Sequence, residues 1–155
     1  MNKVIIGKYV NTHGIKGEIR IKSTFKYKEK VFVIGNTIII NDNEYIINSY
    51  RVHKGYDMVT LKDIDDINKI PFSKNTLVYV ERDKYLNNND YLDSDLIGFI
   101  VYNSKIEKEV VDITYLNEKK KLLKTNDGYI PFELIKEIDL KNKKILVEEV
   151  LGLWK

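Results

Sequence analysis

Gly14 and Gly17 bracket Ile15-Lys16, and five side chains able to carry positive charge, Lys8, His13, Lys16, Arg20 and Lys22, lie on or beside the same stretch. Glycine adopts positive φ freely, so the pair marks either a hairpin turn or a cradle whose backbone N–H groups approach a phosphate. The turn is the simpler assignment, because a GxxG clamp of the KH type sits between helices and the flanks here read as strands. The basic side chains carry the phosphate chemistry instead. Gathered on one hairpin, they would form either a compact face for an RNA backbone, each contact adding about one unit to the salt slope of binding, or a solvated strand face with no partner.

Catalysis has no comparable foothold. His13 and His53 are the only histidines and Cys is absent, so a zinc site would need two carboxylates to complete it. His13 reads as a turn residue and His53 as a strand-end residue. No Gly-x-Ser-x-Gly, Walker A or dinucleotide fingerprint occurs. Asp63, Asp65 and Asp66 lack the glycine and distal Glu of a calcium loop, and helix capping accounts for them. The expectation is a protein with no catalytic residue, no bound metal and no cofactor.

These side chains must be positioned by strands, since the dominant periodicity is two. It appears in Val4–Val10 and in Glu18–Ser23, where Ile19 and Ile21 face one way and Glu18, Arg20 and Lys22 the other. Thr37–Ile40, Glu44–Val52, Met58–Leu61 and Thr76–Glu81 continue the pattern between turn-forming segments at Asn41-Asp42-Asn43 and Lys54-Gly55-Tyr56-Asp57. Asp63–Ile70 departs from it: apolar residues recur every three positions and Pro71 stops the run, which predicts one short helix closing a barrel end. The polar run Asn87-Asn88-Asn89-Asp90 predicts a boundary, with domains at 1–82 and 95–155 joined by a linker at 83–94. Beyond it, strands are expected at Leu96–Tyr102, Glu109–Tyr115, Lys121–Thr125 and Lys144–Val150, with Pro131–Ile138 either one helical turn or an irregular edge. Lys119-Lys120-Lys121 reads as a solvated hairpin tip, and Trp154 as a cover for a barrel end. Many short strands with little helix favour closure, so the fold expected is all-β, two small β-barrels in series.

Composition is globular: 43% hydrophobic and 32% charged across 155 residues, with a net charge of only +3. Ala and Gln are missing while Lys, Ile and Asn supply 60 residues, a sign of AT-rich coding that weakens Lys frequency as evidence for nucleic acid. Distribution is more informative. Residues 1–30 hold 8 basic and 2 acidic groups, whereas residues 81–155 hold 13 and 15, so the two halves suit different partners. No apolar run is long enough to span a membrane and the N-terminus is too polar for a signal peptide, which makes a cytoplasmic protein without membrane contact, acting as a monomer, the expectation.

The segment Gly7-Lys8-Tyr9-Val10-Asn11-Thr12-His13-Gly14-Ile15-Lys16-Gly17-Glu18-Ile19-Arg20-Ile21 resembles the opening signature of the RimM family of ribosome maturation factors. Tyr50–Gly55 with Leu61–Asn68, Asp95-Leu96-Ile97-Gly98, Ile130-Pro131-Phe132 with Lys136–Leu140, and the terminal Gly152-Leu153 extend the resemblance over nearly the whole chain. It implies a six-stranded translation-protein-like barrel followed by a PRC-barrel. It also implies a non-enzymatic factor that assists small-subunit head assembly and 16S rRNA processing by binding small-subunit ribosomal protein nineteen and nearby 16S rRNA. Tyr91 and Leu92, which from their place in a polar connecting segment read either as packing between the two barrels or as partner anchors, then become with Asp95 the expected partner-binding residues, and Lys8, His13, Gly14, Lys16, Gly17, Arg20 and Lys22 the expected ribosome-facing patch. Two departures stand out: Leu92 replaces the second Tyr of a Tyr-Tyr pair, and Lys105–Glu109 lacks the hairpin glycines usual in the family. The competing expectations are a general single-strand nucleic-acid binder, disfavoured by the few aromatics in residues 1–30, and a small hydrolase on a barrel scaffold.

Overall fold

The computed structural model describes residues 2–149, and the chain folds as two compact units divided between Asn87 and Asn88. Trp154 and the Gly152-Leu153 pair lie outside the described residues, as does the last residue of the strand expected to reach Val150.

The first unit holds β1 (Lys3–His13), β2 (Glu18–Lys22), β3 (Thr37–Ile40), β4 (Asn43–His53), β5 (Tyr56–Leu61) and β6 (Leu77–Glu81). They close into an antiparallel barrel in the order β1-β2-β5-β4-β3-β6. Ile19 and Ile21, as their alternation predicts, are fully buried in a core with Ile6, Tyr9, Ile38, Ile40, Val59, Val78 and Val80. Two hairpins close through two-residue turns at positive φ: Asn41 (52°) with Asp42 (64°), and Lys54 (52°) with Gly55 (81°). β1 runs three residues past the expected end because Val10 is accommodated as an extra residue in its ladder with β2.

The helix expected over Asp63–Ile70 does not form. Asp63 takes a positive φ of 66°, Ile64 bridges back to Leu61, and only Ile67–Lys69 makes a 3-10 turn, capped by the Asp66 side chain. Ile64 and Ile70 still pack on the barrel core, so the three-residue spacing reflects burial and not helical geometry. Among the described residues the α-helices are two single turns elsewhere, α1 (Lys28–Val31) and α2 (Arg82–Tyr85). α2 is tied to the barrel by the Tyr85 hydroxyl, which accepts from the Thr37 N–H at 2.8 Å.

The second unit contains β7 (Ile100–Tyr102), β8 (Glu107–Glu109), β9 (Asp112–Tyr115), β10 (Lys121–Thr125), β11 (Gly128–Pro131), β12 (Ile135–Asp139) and β13 (Lys144–Val147). They form a four-stranded sheet, β12-β13-β7-β8, and a three-stranded sheet, β11-β10-β9, around one core of Leu96, Phe99, Val101, Val110, Leu123, Ile130, Ile145 and Val147. The sheets meet at a corner where Val110 bonds to Phe99 of one and Val111 to Lys124 of the other, so β8 and β9 act as one bent strand. Leu96–Tyr102 is shorter as a strand than expected: Asp93–Leu96 is a 3-10 turn, and Gly98, at φ 94°, offsets the chain before β7. Pro131–Ile138 becomes the end of β11, a 3-10 turn at Phe132–Leu134 and the start of β12. The glycine-free Lys105–Glu109 hairpin is closed by Asn103, whose side-chain oxygen accepts from the N–H groups of Lys105 (2.8 Å) and Ile106 (3.0 Å). Lys121 is not part of a solvated tip: it is half-buried in β10, with its ammonium 3.1 Å from Asp93 and 4.6 Å from the Phe132 ring centroid.

Candidate nucleic-acid interface

Directly opposed residues of an antiparallel pair project from the same face. On the outer face of β1 and β2 the opposed pairs are Lys8 with Lys22, Asn11 with Arg20, and His13 with Glu18. The extra residue Val10 sets this register, placing Asn11 and not Val10 across from Arg20. Among the described residues Lys8, Lys16 and Lys22 have no carboxylate partner. Two unpaired lysines directly opposite one another repel, which favours an anion between them.

The tip beyond His13 depends on both glycines, at φ 80° for Gly14 and 83° for Gly17. Gly17 is buried with the Asp66 backbone, and Ile15 C=O accepts from the Ile67 N–H at 2.9 Å, which fastens the tip to the 3-10 turn. Gly14 and Gly17 thus build a turn, and Lys16 stands exposed at its apex.

The face continues onto β5 and β4, where Met58 is opposed by Arg20 on one side and Arg51 on the other. Met58, between the two arginines in register, is fully buried and stands outside the barrel core cluster. Arg51 reaches Glu18 as a two-pronged fork, Nε to Oε2 at 2.9 Å and Nη2 to Oε1 at 2.7 Å. Arg20 is held differently: Nη1 donates to Asn11 Oδ1 at 3.1 Å, Nη2 to His13 Nδ1 at 2.7 Å, and its guanidinium lies 6.0 Å from the Tyr56 ring centroid. The imidazoles of His13 and His53 come within 5.7 Å of each other, centroid to centroid.

The Arg51 fork holds the Glu18 carboxyl below its ordinary range, partly opposed by burial. A depressed carboxylate contributes stability that is complete above the unfolded pKa of about 4.3 and is lost as pH falls through the folded value. Replacing Glu18 by Gln is therefore expected to flatten the stability of the first unit between about pH 5 and pH 2, measured by its amide exchange; an unchanged acid limb would mean that the fork is not kept in solution. Burial, followed by the positive charges of Arg51, Lys54 and Arg20, pushes the His53 imidazole down. No group of three His, Asp or Glu side chains among the described residues is placed to hold a metal. His13 Nδ1 is occupied by Arg20, and both Glu18 oxygens by Arg51.

The N-terminal domain model of RimM matches residues 4–85, the whole barrel with α2. A Staphylococcus aureus protein named ribosome maturation factor RimM is 37% identical over 164 residues, which cover 97% of this chain and 98% of the relative. The chain belongs to the RimM family of ribosome maturation factors. Among solved structures, a putative 16S ribosomal RNA processing protein RimM from Pseudomonas aeruginosa is 17% identical, covering 96% of this chain and 98% of its own, with a TM-score of 0.48. The N-terminal domain of RimM from Thermus thermophilus, also 17% identical, covers 56% of this chain and 96% of its own, with a TM-score of 0.47.

The other expected site, Tyr91, Leu92 and Asp95, belongs to the second unit. Tyr91 packs against the second core and Leu92 is half-buried. The Asp95 carboxylate accepts from the Leu92 N–H at 2.8 Å, so it closes the 3-10 turn that follows. Asp93, which the sequence did not single out, pins this turn to β9 and β10 through the Tyr115 hydroxyl at 3.0 Å and Lys121. His53, Tyr56 and Asn11 join the basic face, whereas Arg51, on the same side, has its charge taken up by Glu18, and the sequence pattern gives one cue to them. The one cue is the Tyr50–Gly55 segment, whose outward side cannot be linked to β2 without the barrel's strand order.

Proposed function

We propose that this chain is a non-enzymatic factor assisting assembly of the small-subunit head and processing of its 16S rRNA. The observation that carries the reading is the outer face of β1 and β2, where Lys8, Lys16, Arg20 and Lys22 project together without carboxylate partners in a chain of the RimM family. Uncompensated cations on a rigid, closed barrel suit the phosphates of folded rRNA, because their positions are set before binding. The second domain offers a different surface. Tyr91 and Leu92, held in place by Asp93 and Asp95, suit a protein partner, small-subunit ribosomal protein nineteen. Binding of both would favour one arrangement of the immature head over others, with no covalent step.

The test is co-sedimentation of the full chain with immature small subunits, mature small subunits and large subunits across a salt series, alongside titration of isolated ribosomal protein nineteen. Selective binding to immature small subunits is expected. Reversal of Lys8 and Lys22 to Glu should weaken it at least tenfold and lower the salt slope by about two units. Equal binding to all three particles would leave only the reading of a general nucleic-acid binder.

A further inference from the structure

Arg20 and Arg51 stand on the same face, flanking Met58, but their charges are used differently. Both oxygens of Glu18, the carboxylate nearest in the chain to Arg20, are taken by Arg51, whose charge is thereby neutralised. Arg20 is fixed only by neutral groups: the amide oxygen of Asn11, the ring nitrogen of His13 and the face of Tyr56. A guanidinium can only donate, so His13 Nδ1 is the acceptor and the ring carries its proton on Nε2. The Arg20 fork is therefore oriented in advance, retains its full charge and keeps further N–H donors unused. These are the properties of a phosphate-binding arginine, since ordering a free arginine on binding costs affinity.

We propose that Arg20, flanked by His13 and His53, is the seat for a single backbone phosphodiester of RNA, and that Glu18 keeps Arg51 out of this role. The assignment rests on the nucleic-acid reading of the face and names the residue at its centre. The phosphate oxygens take the free Arg20 donors, with the His13 Nε2–H and the His53 ring as the nearest further donors. His53 faces Arg51 and Lys54 along its own hairpin, His13 on β1, Arg20 and Glu18 on β2, and Tyr56 opposite it on β5. A bound anion offsets that cationic surrounding and favours imidazolium, so binding takes up a proton and tightens as pH falls through the ordinary imidazole range.

The experiment is an NMR titration of the full chain with a short oligouridylate, following the side-chain resonances of His13, His53 and Arg20. Saturable shifts at all three are expected. Arg20→Gln should lower affinity about tenfold and remove about 0.7 of a unit of salt slope, the value for one phosphate on a single strand. Arg20→Lys, which keeps the charge and loses the fork, should lose most of that affinity while retaining the slope. The paired change Glu18→Gln with Arg51→Gln, neutral in net charge, should alter affinity by less than about twofold. His53→Gln should abolish the pH dependence. Absence of shifts at these side chains, or a loss in the Glu18/Arg51 pair equal to that in Arg20→Gln, would overturn the seat even if selective subunit binding holds. Shifts without selective subunit binding would instead sink the assembly reading and leave the seat standing.

Discussion

Lys28→Met is expected to destabilise the first barrel by about 2 kcal/mol, more than removal of the acidic charge it faces. Asp57 is buried at the end of β5, where Oδ1 accepts from the Tyr50 hydroxyl at 2.6 Å. Its Oδ2 has no hydrogen bond of sound geometry and is met by the Lys28 ammonium at 2.8 Å as a charge contact. Removing one partner of a fully buried pair costs about 3–5 kcal/mol. Lys28 is 36% exposed and Asp57 2%, so solvent already shares the lysine's charge and the cost falls below that range, to about 2 kcal/mol. The asymmetry gives a sharper test. Asp57→Asn keeps an acceptor for Tyr50 and releases a lysine that can hydrate, so it should cost about 1 kcal/mol. The double variant Lys28→Met with Asp57→Asn should recover most of the loss of Lys28→Met alone. Urea unfolding read from amide signals of β4 and β5 measures this, separately from the second unit. Near-additive losses in the double variant would show that the two groups do not depend on each other. The same network keeps the Tyr50 phenol protonated, with its pKa pushed up to about 12 by burial and then by Asp57.

The second large effect is expected at Gly17. Its φ of 83° is costly for any residue with a Cβ, and a Cβ there would stand 3.2 Å from the Asp66 carbonyl oxygen. Left-handed backbone costs an L-residue about 1–2 kcal/mol. Moving the Asp66 segment would also strain the bond from the Ile67 N–H to the Ile15 carbonyl, worth about 1 kcal/mol. Gly17→Ala should therefore cost about 2–3 kcal/mol. Gly14 has nearly the same φ, 80°, but open space where a Cβ would go. Gly14→Ala should cost only about 1 kcal/mol, and Gly14→Asn less, because Asn visits this conformation readily. Thermal unfolding of the three variants checks the order. Equal losses at Gly14 and Gly17 would mean that the contact with Asp66 does not constrain the tip. Gly17→Ala should also weaken the RNA binding proposed for this face, since it displaces Lys16, whereas Gly14→Asn should leave that binding near the level of the parent chain.

Local features are legible in the order of the residues. The alternation of Glu18, Arg20 and Lys22 with Ile19 and Ile21 specifies a half-buried strand whatever it pairs with, because successive side chains take opposite faces. Asn41-Asp42 and Lys54-Gly55 mark the two hairpin turns. The same logic misled at Asp63–Ile70, where residues spaced by three are buried by an irregular segment packed on a barrel. A helix and an irregular cover can both require that spacing, and only the surface beneath distinguishes them. In the second unit, β7 and β13 pair in parallel although they lie more than forty residues apart, which no local pattern encodes.

The candidate site divides in the same way. Lys8, His13, Lys16, Arg20 and Lys22 were legible because one hairpin carries them all. Which of the cations remain without a carboxylate partner depends on the folded barrel. The extra residue at Val10 brings Asn11 across from Arg20, and barrel closure lays β5 and β4 beside β2, so that Arg51 takes Glu18 and His53 reaches His13. Charge compensation depends on separations of a few ångströms between residues some thirty positions apart in the chain, and those separations exist only after the strand register has been set.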